Sequence, residues 1–220
     1  MPHEFLDIFE RCREYTRTTI ERMYAMYCAT NHLVDVDAAG AFVECGVWRG
    51  GSIMVALLTL LQRGRADRDV YLYDTFDGMT DPTDDDVDYQ GHHASAMLEH
   101  FGVQTYREIC NVSLDDVRVA ITHTGYPVDR VHFVEGDVEH TIPSVVPPTI
   151  ALLRLDTDFY ASTKHELVHL YPRLVPGGIL IVDDFGHFAG ARKAVLEYMQ
   201  EHDLSWFLNR IDCTGRLVVK

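Results

Sequence analysis

The apolar run Gly178-Ile179-Leu180-Ile181-Val182 ends in two adjacent aspartates, Asp183 and Asp184, and a second run, Ile150 to Leu155, ends at Asp156 with Asp158 two residues later. Short runs of this kind read as strands buried in a parallel sheet. Ligands bind in the crevice outside the carboxyl ends of such strands, so the acids converge where a ligand would sit. Two carboxylates about 4 Å apart repel by ~1 kcal/mol in water and by roughly 4 kcal/mol at the effective dielectric of a protein surface, so convergence asks for a cation or shared protons. All-oxygen ligands favour a hard divalent ion, magnesium first. Helix caps and turn acids use the same residue types, but two clusters on neighbouring strands favour a built metal site.

A chain of 220 residues is long enough to bury a full sheet with helices on both faces, and no second domain is evident over residues 1–220. Nineteen Lys and Arg against 34 Asp and Glu leave a net charge of −15, which argues against a nucleic-acid partner. The five cysteines form no CxxC pair or zinc spacing and fit reduced thiols in a cytoplasmic protein. No apolar stretch is long enough for a membrane span, and the amino terminus lacks signal-peptide character.

Along the chain, apolar residues recur at helical spacing from Glu4 to about Ala29, predicting one or two N-terminal helices within residues 1–30. Ala41–Cys45 reads as a strand, Gly46 to Ser52 as a glycine-bearing turn and Ile53 to Gln62 as a buried helix. Val70–Tyr73 predicts a second strand ending at Asp74. The following segment, 79–112, reads as a mobile acidic insertion or lid, its aspartates from Asp81 to Asp88 a solvated loop. Ser113 caps a helix to about His123, and Arg130–Val134 is the third strand. After Ile150–Leu155, Ser162 is expected to cap a helix to about Leu174, with Pro176-Gly177-Gly178 turning into the fifth strand. Ala189 to His202 is a further helix, and Ser205–Ile211 with Arg216–Val219 a closing hairpin. The repeating order predicts an α/β, Rossmann-like, doubly wound, mostly parallel seven-stranded sheet with an antiparallel end.

The string Glu44-Cys45-Gly46-Val47-Trp48-Arg49-Gly50-Gly51-Ser52 joins a strand to a helix, where glycines admit a ligand and the helix amino end favours a negative group. Bulky Val47-Trp48-Arg49 departs from the dinucleotide fingerprint G-x-G-x-x-G, so the carboxylate of a methionine fits better than a pyrophosphate. A plain chain reversal would use the same glycines. Asp74, at the end of the second strand, stands where an acid accepts from both hydroxyls of a ribose, although it could instead open a surface turn, and Asp77 could serve equally. Gly136-Asp137 brings a carboxylate to the adenine side, with Glu135 or Val138 flanking the ring, or is an ordinary turn. Among the histidines, His92, His93, His165, His169 and His187 read as surface or packing residues, His92-His93 being placed to face a substrate if the insertion folds over the site.

Taken together, Phe42 to Ser52, Asp74-Thr75-Phe76-Asp77-Gly78, Leu155-Asp156-Thr157-Asp158, Tyr171 to Gly178, Val182-Asp183-Asp184-Phe185-Gly186 and Gly190 to Val195 resemble the macrocin O-methyltransferase (TylF) family, over about Tyr15 to Val195. The resemblance implies a class I methyltransferase fold and methyl transfer from S-adenosylmethionine, with Mg2+, to a hydroxyl on a sugar of a secondary metabolite, as in antibiotic biosynthesis. Carried over by motif, Asp156, Asp183 and Asp184 are the metal ligands and Asp158 the general base, with Asp156 counted beside it as catalytic. Glu44, Gly46, Ser52, Asp74 and Asp137 line the cofactor pocket. The partner expected is a small glycosylated acceptor, and the family also admits homo-oligomers.

Other readings stay open at this level. A catechol-type methyltransferase would use the same acids on adjacent ring hydroxyls. A nicotinamide-dependent oxidoreductase is disfavoured by the missing G-x-G-x-x-G, and a non-catalytic binding protein leaves the paired acids unexplained.

Overall fold

Short, mostly apolar runs build the sheet: β1 Ala41–Cys45, β2 Val70–Asp74, β3 Val131–Glu135, β4 Ile150–Leu155, β5 Leu174–Val182 and β7 Arg216–Val219, with the two-residue β6 Asn209–Arg210 at the edge. A computed structural model describes residues 1–96 and 110–220. The strand order is β3-β2-β1-β4-β5-β7-β6, with β1 to β5 parallel and β7 antiparallel to both its neighbours. The chain winds outward from β1 to β3 and then returns to place β4 on the other side of β1. The carboxyl ends of β1 and β4 therefore flank the switch point, where a crevice must open.

Alternate residues of each strand face opposite layers of helix. Phe42, Leu72, Leu152, Ile179 and Ile181 pack toward α1 His3–Cys12, α2 Ile20–Asp35, α3 Gly51–Gln62 and α4 Leu114–Thr122. Val43, Cys45, Tyr73, Leu153, Leu155, Leu180 and Val182 pack toward α5 Val138–Thr141, α6 Tyr160–Leu170 and α7 Ala189–Glu201. Ten consecutive residues of α3, Gly51 to Leu60, are buried, which accounts for a helix almost without charge. Ser113 caps α4, its hydroxyl accepting from the Asp116 amide.

Several expected boundaries differ. The second N-terminal helix runs on to Asp35, beyond Ala29. Ser162 does not cap α6: that helix begins at Tyr160 and ends at Leu170, and its hydroxyl turns back to the Thr157 and Phe159 carbonyls. Pro176-Gly177-Gly178 lies inside β5 rather than ahead of it, and only Asn209–Arg210 of the expected Ser205–Ile211 strand pairs. The lid expected over 79–112 lies partly outside the described residues. Where it is described, its acids are not all solvated. Asp86 is fully buried, with Oδ1 accepting from the Tyr160 amide at 2.7 Å and Oδ2 from the Thr83 amide and hydroxyl. Asp86 thus caps α6 from a distant segment, a role sequence proximity assigned to Ser162. Gly190 leaves the room for it, since a Cβ there would lie 2.0 Å from Asp86 Oδ1. Asp88 is also buried, accepting from the Gln90 and His92 amides. Among the described residues no helix is long and apolar enough to cross a membrane.

Candidate active site

At the switch point a cavity of about 330 Å³ opens between the glycine turn, the ends of β2, β4 and β5, and the connector Tyr15–Thr18 between α1 and α2. Of the residues singled out in the sequence, Gly46, Ser52, Asp74, Asp137, Asp156, Asp158, Asp183 and Asp184 all line it. Glu44 does not; it is fully buried one layer behind.

The glycine turn is closed from beneath. Asp74 Oδ2 accepts from the Val47 and Trp48 amides at 2.6 and 3.0 Å, and its Oδ1 from the Phe76 amide at 2.9 Å. The carboxylate expected to meet a ribose is therefore also the clamp that shapes the turn. Gly46, at φ +80, packs directly on the neighbouring loop: a Cβ there would stand 2.0 Å from the Asp156 carbonyl oxygen. Asp137 opens α5 by accepting from the Glu139 amide, and the Ser52 hydroxyl points to Met23 of α2.

On the other side, β4 and β5 deliver the acids. Asp156, Asp183 and Asp184 each offer a carboxylate oxygen within 4.8 Å of the others. Burial pushes Asp156 well above the usual carboxylate range, with Asp183 and Asp184 adding to the rise and Arg154 opposing it. Asp158 is raised by burial and then by the charges of Asp156 and Asp183. Asp184 is raised by burial, then by Asp158 and Asp183.

Two arginines hold this cluster, and neither stood out in the sequence. Arg154 lies within the run that reads as apolar, opposite Glu44 in the β1–β4 register. Its Nη1 donates to Glu44 Oε1 at 2.6 Å, and its Nη2 to Asp183 Oδ1 at 2.7 Å and Asp156 Oδ2 at 2.8 Å. Arg22 of α2 pairs with the second oxygen of Asp183 and, through Nε, with Asp212 at 3.0 Å. A charged residue in a buried strand next to acids is the signal that could have found Arg154. Burial lifts Glu44 to about 7 despite its arginine. Even so, Glu44, Asp156, Asp158, Asp183, Asp184 and Asp212 outnumber two guanidiniums, and protons or a cation must make up the balance.

Met79, Phe159, His187 and Phe188 also line the cavity, as do Thr16, Arg17, Thr18 and Thr214. His187, read as a packing residue, thus lies on the site, while His92, exposed and tied to Asp88, is not among the lining residues.

The sequence profile of the macrocin O-methyltransferase (TylF) family matches residues 12–220. The chain belongs to this family. It is an S-adenosylmethionine-dependent O-methyltransferase. It is 35% identical over 189 residues to the 8-demethyl-8-(2,3-dimethoxy-alpha-L-rhamnosyl)-tetracenomycin-C 4'-O-methyltransferase of Streptomyces olivaceus, covering 86% of this chain and 69% of that one. Against the mycinamicin III 3''-O-methyltransferase of Micromonospora griseorubida it is 35% identical over 191 residues, covering 86% and 71%. Among solved structures, the O-methyltransferase NovP superposes with a TM-score of 0.82 at 29% identity, over 94% of this chain and 82% of that one. In this methyltransferase the seven-stranded sheet, with β7 reversed, is the class I arrangement, and the β1 glycine turn and the acids of β4 and β5 line a single cavity.

Proposed function

We propose that this enzyme moves the methyl group of S-adenosylmethionine to a hydroxyl of a sugar carried by a small natural product, aided by a divalent ion, magnesium foremost. The observation that carries this reading is the meeting in one cavity of a glycine turn at β1 and three carboxylates whose oxygens lie within 4.8 Å. The residues fit a hard cation. The donors are all carboxylate oxygens, and among the described residues Asp184 Oδ2 is buried with no hydrogen-bond partner. Asp156, Asp183 and Asp184 would hold the ion, which when bound supplies the Lewis acidity that lowers the pKa of an acceptor hydroxyl.

The remaining work falls to the chain itself. Asp158 takes the acceptor proton as the oxygen attacks the methyl carbon and the sulfonium leaves as a neutral thioether. Arg154 and Arg22 fix the oxygens of Asp183, and Arg154 one oxygen of Asp156, so that these acids keep one orientation through turnover. Gly46, Ser52, Asp74 and Asp137 border the donor, and Glu44 acts on the site through Arg154 rather than by touching the cofactor. Because the donor is already activated, most of the rate comes from holding oxygen, carbon and sulfur in line. Met79 and Thr80, at the start of segment 79–96, line the cavity and would border the acceptor.

The sugar is supported by the relatives, one of which is named for a rhamnosyl substrate. We read residues 1–220 as one domain, because β1 to β7 share one sheet, and place it in the cytoplasm, in keeping with its five free thiols. The test is a panel of deoxysugar glycosides and catechols assayed with magnesium or with chelator. Methylated glycoside should form with magnesium, and turnover should drop at least about a hundredfold in chelator. Undiminished turnover in chelator, or methylation of catechols alone, would contradict the reading.

A further inference from the structure

Asp158 sits at the centre of a tight three-residue turn: its φ is +66, and the Phe159 amide donates to the Thr157 carbonyl at 2.7 Å. A non-glycine residue in that region is strained and persists only where its surroundings hold it. The hold comes from α6, behind the turn. Glu166, fully buried, meets the Thr157 hydroxyl within hydrogen-bond distance of both its oxygens, at 3.0 and 3.2 Å. Ser162, one helical turn earlier on α6, donates to the Thr157 carbonyl. Glu166 also meets the Cys45 thiol at the end of β1, and the Cys45 carbonyl in turn accepts from the Asp156 amide at 2.8 Å.

No part of the proposed chemistry uses Glu166, and it does not border the cavity. A carboxyl group placed wholly inside a protein is costly unless its partners require it. Here the partners are the residue between Asp156 and Asp158 and the strand end on which that loop rests. We infer that Glu166 is a positioning residue: by gripping Thr157 from behind, it sets the direction in which Asp156 and Asp158 project into the site. Asp156 leaves the loop just before the gripped residue and Asp158 just after it, so one tether orients both. The inference rests on the proposed roles of Asp156 and Asp158, and the measurements below separate the two.

The test compares the full chain with Glu166→Ala, Glu166→Gln and Thr157→Val in three measurements. These are S-adenosylhomocysteine affinity by calorimetry, Mn2+ affinity by electron paramagnetic resonance, and hydrogen exchange of the peptide spanning 155–159. Glutamine can still accept from the Thr157 hydroxyl, whereas alanine, and valine at 157, break the tether. In the two tether-breaking variants S-adenosylhomocysteine should bind within about threefold of wild type, while Mn2+ weakens by about tenfold or more and exchange at 155–159 speeds up by a similar factor. Glu166→Gln should restore both to within about threefold. Wild-type exchange and Mn2+ affinity in Glu166→Ala and Thr157→Val would overturn the inference, as would a Glu166→Gln that behaves like alanine. Should Glu166→Ala not fold, Thr157→Val against Glu166→Gln carries the same decision. If wild type itself binds no Mn2+, the metal reading fails, while the exchange pattern and its rescue still decide the tether.

Discussion

The two halves of the cavity are built on opposite electrical terms. On the side of the glycine turn, Asp74 accepts from the backbone amides of Val47, Trp48 and Phe76, so the turn is clamped from within the chain. At the ends of β4 and β5 acids outnumber the two arginines that hold them, and one oxygen of Asp184 is buried without a partner among the described residues. The first half is held by backbone amides. The second is held by two guanidiniums against a larger number of acids, and protons or a cation make up the balance.

This contrast predicts a double dissociation, the largest effect expected. Asp74→Ala strips three amides of their acceptor and should weaken S-adenosylhomocysteine by roughly tenfold or more, while Mn2+ binding stays near wild type. Asp156→Ala should do the reverse, leaving S-adenosylhomocysteine almost untouched while turnover falls by about a hundredfold or more. Calorimetry on both variants, with Mn2+ titration, checks the pair. Equal damage to both ligands by either change would erase the distinction between the halves.

A smaller effect concerns the buried acid behind the loop. Burial lifts Glu166 from 4.5 to about 8. The folded protein therefore keeps that proton while the unfolded chain has released it, and stability is lost as pH rises from about 4.5 through about 8. Glu166→Gln, which cannot ionise, should match wild type in Tm near pH 4.5 and gain on it steadily toward pH 8, levelling beyond. A Tm difference that does not change with pH would show that Glu166 does not carry this proton.

Much of this was legible in the sequence because it follows local rules. The apolar runs ending in Asp156, Asp183 and Asp184, the glycine turn after β1 and the Ser113 cap depend on residues close in the chain. What escaped depends on contacts across the fold. Arg154 reads as a blemish in an apolar run until strand register sets it opposite Glu44. Asp86 reads as one more acid in a polar loop until the chain brings it to the amino end of α6, 74 residues away. Pro176-Gly177-Gly178 reads as a turn, yet the strand runs through it at its entry, before the fully buried stretch Gly178 to Val182 begins to carry its apolar side chains. Glu166 sits on the face of α6 that also buries Leu167 and Leu170, and only its contacts with Thr157 and Cys45 set it apart.

Crystals grown with S-adenosylhomocysteine and Mn2+ test whether the carboxylates of β4 and β5 gather around one hard ion beside the methyl donor. An anomalous peak should contact Asp156, Asp183 and Asp184, with the sulfur of the cofactor in the same cavity. Cofactor bound in full, with no anomalous peak among those three acids, would contradict this arrangement.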